Sequence, residues 1–152
     1  MTRDDAIFDI HYSHYLEQMF ATITGRIDRM ITFIIILSGC GVFISITGYP
    51  FFGAIISALS IAQINYQFSK ASGIAEGRAR KYLELITDEP DLTDAELLSR
   101  LKALQDADSW PWGSLKVAAH KRTCIVLERE DTSRELTRFE AAMAWLAGDL
   151  PR

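Results

Sequence analysis

One uninterrupted block without charge, residues 30–69 between Arg29 and Lys70, constrains this chain more than any other feature. A helix rises about 1.5 Å per residue, so about 20 residues cross a ~30 Å hydrocarbon core. The block is therefore long enough for two crossings, and we predict spans at 30–49 and 50–68. A buried hairpin of a soluble domain is the weaker alternative, because a small domain has too much surface to cover such a block.

The sequence between the two spans reads Thr47-Gly48-Tyr49-Pro50. Glycine and proline together indicate a tight turn, and proline is well tolerated at the start of a helix. Outside the block the apolar residues recur at helical spacing and no strand is predicted. We therefore expect an all-α fold, in which a two-helix transmembrane hairpin joins helical segments at both ends.

Basic residues flank the block but are absent from its turn. The positive-inside bias places both termini in the cytoplasm of a bacterial inner (cell) membrane, in a multi-pass protein. The N-terminus starts with acidic residues rather than a basic region, so we do not expect a signal peptide. The predicted organisation is a cytoplasmic N-terminal helix at 1–29, the hairpin at 30–69 and a cytoplasmic helical domain at 70–152. The flanking basic residues are Arg26, Arg29, Lys70, Arg78, Arg80 and Lys81.

Small residues recur at four-residue steps in both predicted spans. Small side chains at this spacing let helices approach closely in lipid, and they predict helix packing and a homo-oligomer. The candidate packing residues are Gly41, Ser45, Gly53, Ala54, Ala58 and Ala62.

A polar stripe follows one side of the second span, formed by Ser57, Ser60, Gln63 and Gln67. Amides are costly in lipid unless they find partners or water. In one interpretation the stripe forms hydrogen bonds between packed helices, with Gln67 solvated at the cytoplasmic interface. In the other, it lines a water-filled surface when several copies assemble.

Two Ser/Thr-x-x-Glu patterns predict capped helices after the hairpin. Thr93 and Glu96 form the first pattern, and Thr132 and Glu135 the second, which we expect to open the last helix. Ser114 is the predicted cap of the helix between them.

Some aromatic and histidine residues allow both a packing and a binding interpretation. Trp110 and Trp112 flank a proline, and they either pin this loop to the helical core or form a partner site. His11 and His14 either pack within the N-terminal helix or contribute to a metal site. Packing is favoured in both cases, and no partner for His120 can be assigned from the sequence.

The sequence lacks the motifs of common enzymes and binding modules. It contains no Walker A loop, no GxGxxG, no paired CxxC and no GxSxG. We therefore predict no enzyme activity, no catalytic residues, no cofactor and no metal. The net charge is −4 with acids and bases mixed, which argues against nucleic-acid binding. Cys40 and Cys124 cannot form a disulfide framework and fit a reducing compartment.

The order of these elements resembles the SLATT-type two-transmembrane effector family of bacterial and prophage defence systems. The resemblance rests on HYSHYLEQM and GRIDRM before the hairpin, ASGIAEGRARKYLELI after it, and LLSRLKALQDADSWPWGSLKVAAHKRTCIVL further on, and it spans roughly Ile7 to Leu127. It implies an effector whose hairpins assemble into a membrane-permeabilising pore when a cytoplasmic sensor or partner signals infection. Family members are linked to this role by association with sensor proteins.

Two functions follow from these observations. The first is an oligomeric, pore-forming membrane effector that permeabilises or depolarises the inner membrane in antiviral defence. The alternative is a non-enzymatic membrane-anchored adaptor or superinfection-exclusion factor, which binds a protein partner through its cytoplasmic helices. A lipid-modifying enzyme is a third and weaker hypothesis, because no nucleophile or metal is identifiable at the membrane interface.

Overall fold

A computed structural model describes residues 2–43, 49–106 and 111–151, and side chains are described outside 41–43, 49 and 50. Within these residues the chain is all-α, as predicted, and contains no strand. Two 3-10 turns, Glu89–Asp91 and Gly113–Leu115, interrupt the helices. The six α-helices are α1 (Arg3–Phe43), α2 (Tyr49–Tyr66), α3 (Phe68–Asp88), α4 (Asp94–Gln105), α5 (Lys116–Val126) and α6 (Arg138–Leu146).

The chain divides into two compact units. One, the core unit, combines Met1–Ile23 with Ser72–Arg152, and the other, the apolar unit, is Thr24–Ala71. The N-terminal part of α1 therefore belongs to the same unit as the helices that follow the apolar block.

Helices α1, α3 and α4 form the main hydrophobic core of the core unit. Each helix contributes two buried residues that are three or four positions apart and so lie on the same face. Partly buried aliphatic side chains pack around this cluster. The buried residues are Ala6, Ile10, Tyr82, Leu85, Leu97 and Leu101.

Polar contacts join α1 to the other helices of the core unit. The Arg3 guanidinium donates to the Glu89 carboxylate and to Asp94 Oδ1, the latter at 2.7 Å. His14 Nδ1 lies 2.8 Å from the carbonyl oxygen of Ala79, and the Ser72 hydroxyl donates to the carbonyl oxygen of Ala21 at 2.8 Å. These bonds fix the side of α1 that faces α3.

The first predicted cap is confirmed, and the later two are wrong. Thr93 and Glu96 form a reciprocal capping box at the start of α4. The last helix begins after Thr137, whose capping-box partner is Glu140, and not at Thr132. The chain contains both Thr-x-x-Glu patterns, but Glu140 also receives the Arg134 guanidinium, which favours the later start. Ser114 lies within the second 3-10 turn, and no side chain caps α5.

In the described part of the chain, one helical stretch, Phe51–Asp91, is long and apolar enough to cross a membrane. The described residues therefore do not form a complete two-helix transmembrane hairpin. Helix α1 carries the apolar block as far as Phe43. Residues 44–48, which belong to the first predicted span and hold half of the predicted turn, lie outside the described residues. The apolar part of α1 within the structure is thus shorter than a full crossing.

Candidate functional site

Many large hydrophobic side chains of the apolar unit are exposed. They come from both α1 and α2, so the exposed surface belongs to both helices. Exposed apolar patches of this kind mark contacts with membrane or protein. The most exposed of these side chains are Met30, Phe33, Ile36, Leu37, Phe51, Ile61, Ile64 and Tyr66.

Gln63 turns its amide toward α1. Its Nε2 donates to Asp28 Oδ1 and to Thr32 Oγ1, each at 3.1 Å. Asp28 and Thr32 are four residues apart and share one face of α1. The two bonds therefore place this face beside α2, and they are the hydrogen bonds between helices that the first interpretation of the polar stripe requires.

The other members of the polar stripe do not share the position of Gln63. Ser57 is exposed and Ser60 is half-buried, while Gln67 is exposed at the junction of α2 and α3. Gln67 has φ of 45°, in the left-handed region that residues other than glycine rarely adopt. The helical hydrogen bonds nevertheless continue through this junction, from Gln67 N–H to Gln63 and from Ala71 N–H to Gln67.

The predicted small packing residues of α2 are accessible. Gly53, Ala54 and Ala58 are exposed, and Ala62 is half-buried. A Cβ placed on Gly53 would meet no atom within 4 Å. This face of α2 is therefore not used for packing inside the described chain. Gly41 lies in α1 without a described environment, and Ser45 lies outside the described residues.

Trp112 packs against the core unit. Its ring lies edge-on to Phe20 of α1, with 5.6 Å between the ring centroids. Trp112 is half-buried and its carbonyl accepts the N–H of Leu115 at 3.0 Å. This contact is the one that the packing interpretation predicts. Trp110, the other candidate partner residue, lies outside the described residues.

His11 and His14 lie among aromatic rings. His14 is edge-on to Tyr15 at 5.2 Å, and His11 is stacked on the same tyrosine at 6.4 Å. Burial, followed by the neighbouring His14 charge, lowers the pKa of His11. In the described part of the chain, neither histidine belongs to a group of three potential metal ligands.

A cavity of about 350 Å³ opens beside α1 in the core unit. Asp9, Tyr12 and Glu17 contribute polar groups to its wall, and Lys116 contributes a cation. Burial raises the pKa of Asp9, with Asp5 adding to the effect, and burial also raises the pKa of Tyr12.

Three potential metal ligands meet at the end of α5. His120 and Cys124 lie one helical turn apart, and Asp131 comes from the segment that follows. His120 Nδ1 lies 3.6 Å from Cys124 Sγ and 3.7 Å from Asp131 Oδ1. The HKRTC spacing could have revealed the His–Cys pair in the sequence. Asp131 could not have been added, because its position depends on how the chain turns after α5.

Both carboxylate oxygens of Asp131 accept hydrogen bonds from neighbouring side chains or backbone. The Lys121 ammonium donates to Asp131 Oδ2 at 2.5 Å, and the backbone N–H and hydroxyl of Ser133 donate to Oδ1 at 2.9 and 2.6 Å. The Lys121 bond, followed by those from Ser133, holds the pKa of Asp131 well below its usual range. Burial, and then Asp131, raises the pKa of the Cys124 thiol. The thiol is therefore not activated as a nucleophile.

Comparison of the chain with protein-family models, with curated proteins and with solved structures finds no significant match.

Proposed function

We propose that this chain is a membrane effector, held in the bacterial inner membrane by a two-span hairpin with both termini in the cytoplasm. The observation that supports this best is that the apolar unit exposes apolar side chains while a polar amide is bonded to the neighbouring helix. Phe33, Leu37 and Ile64 are exposed, whereas the Gln63 amide is bonded to α1. A segment in water hides apolar groups and exposes polar ones, and a segment in lipid does the reverse.

The dimensions of the apolar unit also fit a membrane. Helix α2 has 18 residues, which corresponds to about 27 Å at the usual helical rise and nearly matches a ~30 Å hydrocarbon core. Gln63 pairs with Asp28 and Thr32. The position in sequence halfway between Gln63 and these two partners falls near the middle of the uncharged block. This register is the one that an antiparallel hairpin of equal arms would have.

The proposed action is self-association of hairpins through the small residues of α2, followed by permeabilisation or depolarisation of the membrane. Lipid tails are as apolar as leucine, so helices associate in lipid by close packing and hydrogen bonds. Gly53, Ala54, Ser57 and Ala58 supply such a surface, and within the described chain they are exposed. The SLATT resemblance supports the same action in phage defence, with a cytoplasmic signal as trigger.

The test replaces Gly53 by leucine in protein reconstituted into liposomes that hold a self-quenching dye. A Cβ at Gly53 meets nothing within 4 Å in the single chain, so we expect the hairpin to fold while the larger leucine side chain blocks the surface for a second copy. We expect Gly53→Leu to abolish dye release and to shift the protein in detergent from oligomer to monomer. Gly39→Leu is the matched control, because a Cβ there also meets nothing within 4 Å.

Dye release by Gly53→Leu at the rate of the unchanged protein would contradict the proposal. Gly53 is a sharper target than Gln63, because Gln63→Leu would also remove the bonds to Asp28 and Thr32 and so disturb the hairpin itself.

The adaptor alternative is favoured by one observation, the exposed apolar face of α6. Phe139, Trp145 and Leu146 are 66%, 68% and 37% exposed. Trp112 is less suited to a partner site, because it packs on Phe20. If the chain is an adaptor, the double variant Phe139→Ser/Trp145→Ser should lose cellular function, whereas the separate variant Gly53→Leu should keep it. The effector requires the opposite pattern.

A further inference from the structure

We propose that His120, Cys124 and Asp131 form a zinc-binding site at the end of α5, independent of the membrane function proposed above. The three side chains offer one nitrogen, one sulfur and one oxygen ligand within 4.8 Å of one another. This combination suits Zn²⁺, which binds imidazole, thiolate and carboxylate in tetrahedral geometry.

The distances are close to those between ligands of one tetrahedral ion, although the His120–Cys124 distance also allows a hydrogen bond. Tetrahedral zinc has Zn–S of about 2.3 Å, Zn–N of about 2.05 Å and Zn–O of about 2.1 Å, which separates S from N by about 3.6 Å and N from O by about 3.4 Å. The observed distances are 3.6 Å from His120 Nδ1 to Cys124 Sγ and 3.7 Å to Asp131 Oδ1. The second is too long for a hydrogen bond.

A nucleophilic cysteine would need a different geometry. In a Cys–His–Asp relay the imidazole turns one nitrogen to the nucleophile and the other to the carboxylate. Here the same atom, His120 Nδ1, faces both Cys124 and Asp131. One nitrogen that converges with a sulfur and an oxygen is the pattern of a coordination site.

The backbone brings the third ligand to the helix. Glu128 adopts φ of 51° immediately after α5, and Arg129 N–H bonds to the carbonyl oxygen of Cys124 at 2.9 Å. This Schellman turn reverses the chain. Arg129 then bonds to the Asp4 carbonyl at 2.9 Å and lies over the Phe8 ring at 5.4 Å. The segment that holds Asp131 is thus fixed at both the helix end and α1.

The two carboxylate oxygens of Asp131 would have different partners in the metal-bound site. Lys121 holds Oδ2, so Oδ1 would bind the metal while Lys121 stays as an outer partner that orients the carboxylate. The Ser133 hydroxyl now donates to Oδ1 and would turn away when the metal enters. With three protein ligands, the fourth position of the tetrahedron is open to water or another ligand.

The test titrates the full-length protein in detergent with Co²⁺, a spectroscopic substitute for Zn²⁺. We expect one Co²⁺ per chain, a thiolate-to-cobalt charge-transfer band, and loss of that band when Zn²⁺ is added. Cys124→Ser should remove the band, whereas Cys40→Ser, which alters the chain's other cysteine, should keep it. His120→Gln and Asp131→Asn should each weaken Co²⁺ binding by at least about tenfold.

His120→Gln changes a partly exposed side chain, and it therefore tests the site even if Cys124→Ser fails to fold. Absence of the charge-transfer band in the unchanged protein would overturn the proposal. A band that survives Cys124→Ser, or Co²⁺ affinities of His120→Gln and Asp131→Asn equal to that of the unchanged protein, would overturn it as well.

Discussion

The hydrophobic cluster of the core unit and the helices of the apolar unit differ in where they place large hydrophobic side chains. In the core unit, Tyr82 and Leu101 are 1% exposed, whereas in the apolar unit Leu37 and Ile61 are each 60% exposed. The same residue types occur in both, so composition alone does not produce the difference. In the membrane arrangement proposed above, the two units would suit different solvents: the core unit hides this apolar cluster from water, and the apolar unit presents apolar side chains to lipid.

Selected polar contacts also differ between the two units. The core unit keeps ion pairs such as Arg100–Asp88 and Arg80–Glu76 on its exposed surface. In the apolar unit the Gln63 amide bonds to Asp28 and Thr32 of the neighbouring helix. An amide facing lipid would lose its hydrogen bonds, so bonding to the neighbouring helix is the stable arrangement.

The largest expected contrast comes from truncating one leucine in each unit. Leu101→Ala removes a buried side chain and leaves a cavity, so it should destabilise the core unit by about 2–5 kcal/mol. Leu37→Ala should change the stability by less than about 0.5 kcal/mol, because surface substitutions away from specific contacts have small effects. Chemical unfolding followed by tryptophan fluorescence measures the first effect, since all tryptophans lie in 110–145. Helical circular dichroism follows the second.

Equal losses from Leu101→Ala and Leu37→Ala would break the comparison, because they would mean that Leu37 is buried in the protein's natural environment. In that case the exposed face of α1 would be an interface within an assembly instead of a lipid-facing surface.

The second contrast introduces a charge on each surface. Ile61→Arg should reduce membrane insertion, since arginine at the centre of a membrane helix costs about 2.5–3.5 kcal/mol on insertion scales. Leu83→Arg, at a 49% exposed position of α3, should change membrane association and stability very little. The measurement is the fraction of tagged protein that resists alkaline extraction of membranes. Resistance of Ile61→Arg equal to that of Leu83→Arg would contradict a lipid-facing α2.

Features that depend on neighbouring residues in sequence were predicted well. The all-α fold and the Thr93–Glu96 box rest on short-range helical periodicity and capping, and both are confirmed. The predicted start of α6 was wrong because two Thr-x-x-Glu patterns, at 132–135 and 137–140, lie close together. The Arg134 guanidinium bonds to Glu140, a contact that the pattern does not contain, and this favours the later start.

Features that depend on tertiary contacts could not be predicted. The four-residue spacing placed Gln63 on a polar stripe, but its bonds to Asp28 and Thr32 depend on the register between two helices. His120 had no assignable partner in the sequence. Asp131 reaches it only because Glu128 takes a left-handed conformation that reverses the chain, and nothing about glutamate signals such a conformation.

A smaller contrast compares the C-terminal ends of α5 and α6 in the core unit. Helices α5 and α6 both end in a left-handed residue, Glu128 with φ of 51° and Gly148 with φ of 81°. Only glycine adopts this conformation without steric cost. Gly148→Ala should therefore destabilise the core unit by about 1 kcal/mol, and Glu128→Gly should stabilise it by about 0.4–1 kcal/mol. Thermal unfolding followed by tryptophan fluorescence measures both, and shifts of the same sign would contradict the assignment.

Acid should affect the core unit through the Glu140 carboxylate at the start of α6. Hydrogen bonds from Arg134, followed by those from Thr137, lower the pKa of Glu140 from 4.5 to about 2. Because the pKa is lower in the folded state, the stabilisation is complete above about pH 4.5 and is lost as the pH falls toward about 2. Glu140→Gln, which cannot ionise, should melt at a lower temperature than the unchanged protein near neutral pH, and the difference should vanish in this acid range.

A difference in melting temperature that is independent of pH would show that the hydrogen bonds of the Glu140 side chain, and not its charge, hold α6 in place. Residues 30–69 contain no acidic side chain, so the helical signal of this uncharged block should persist through the same titration.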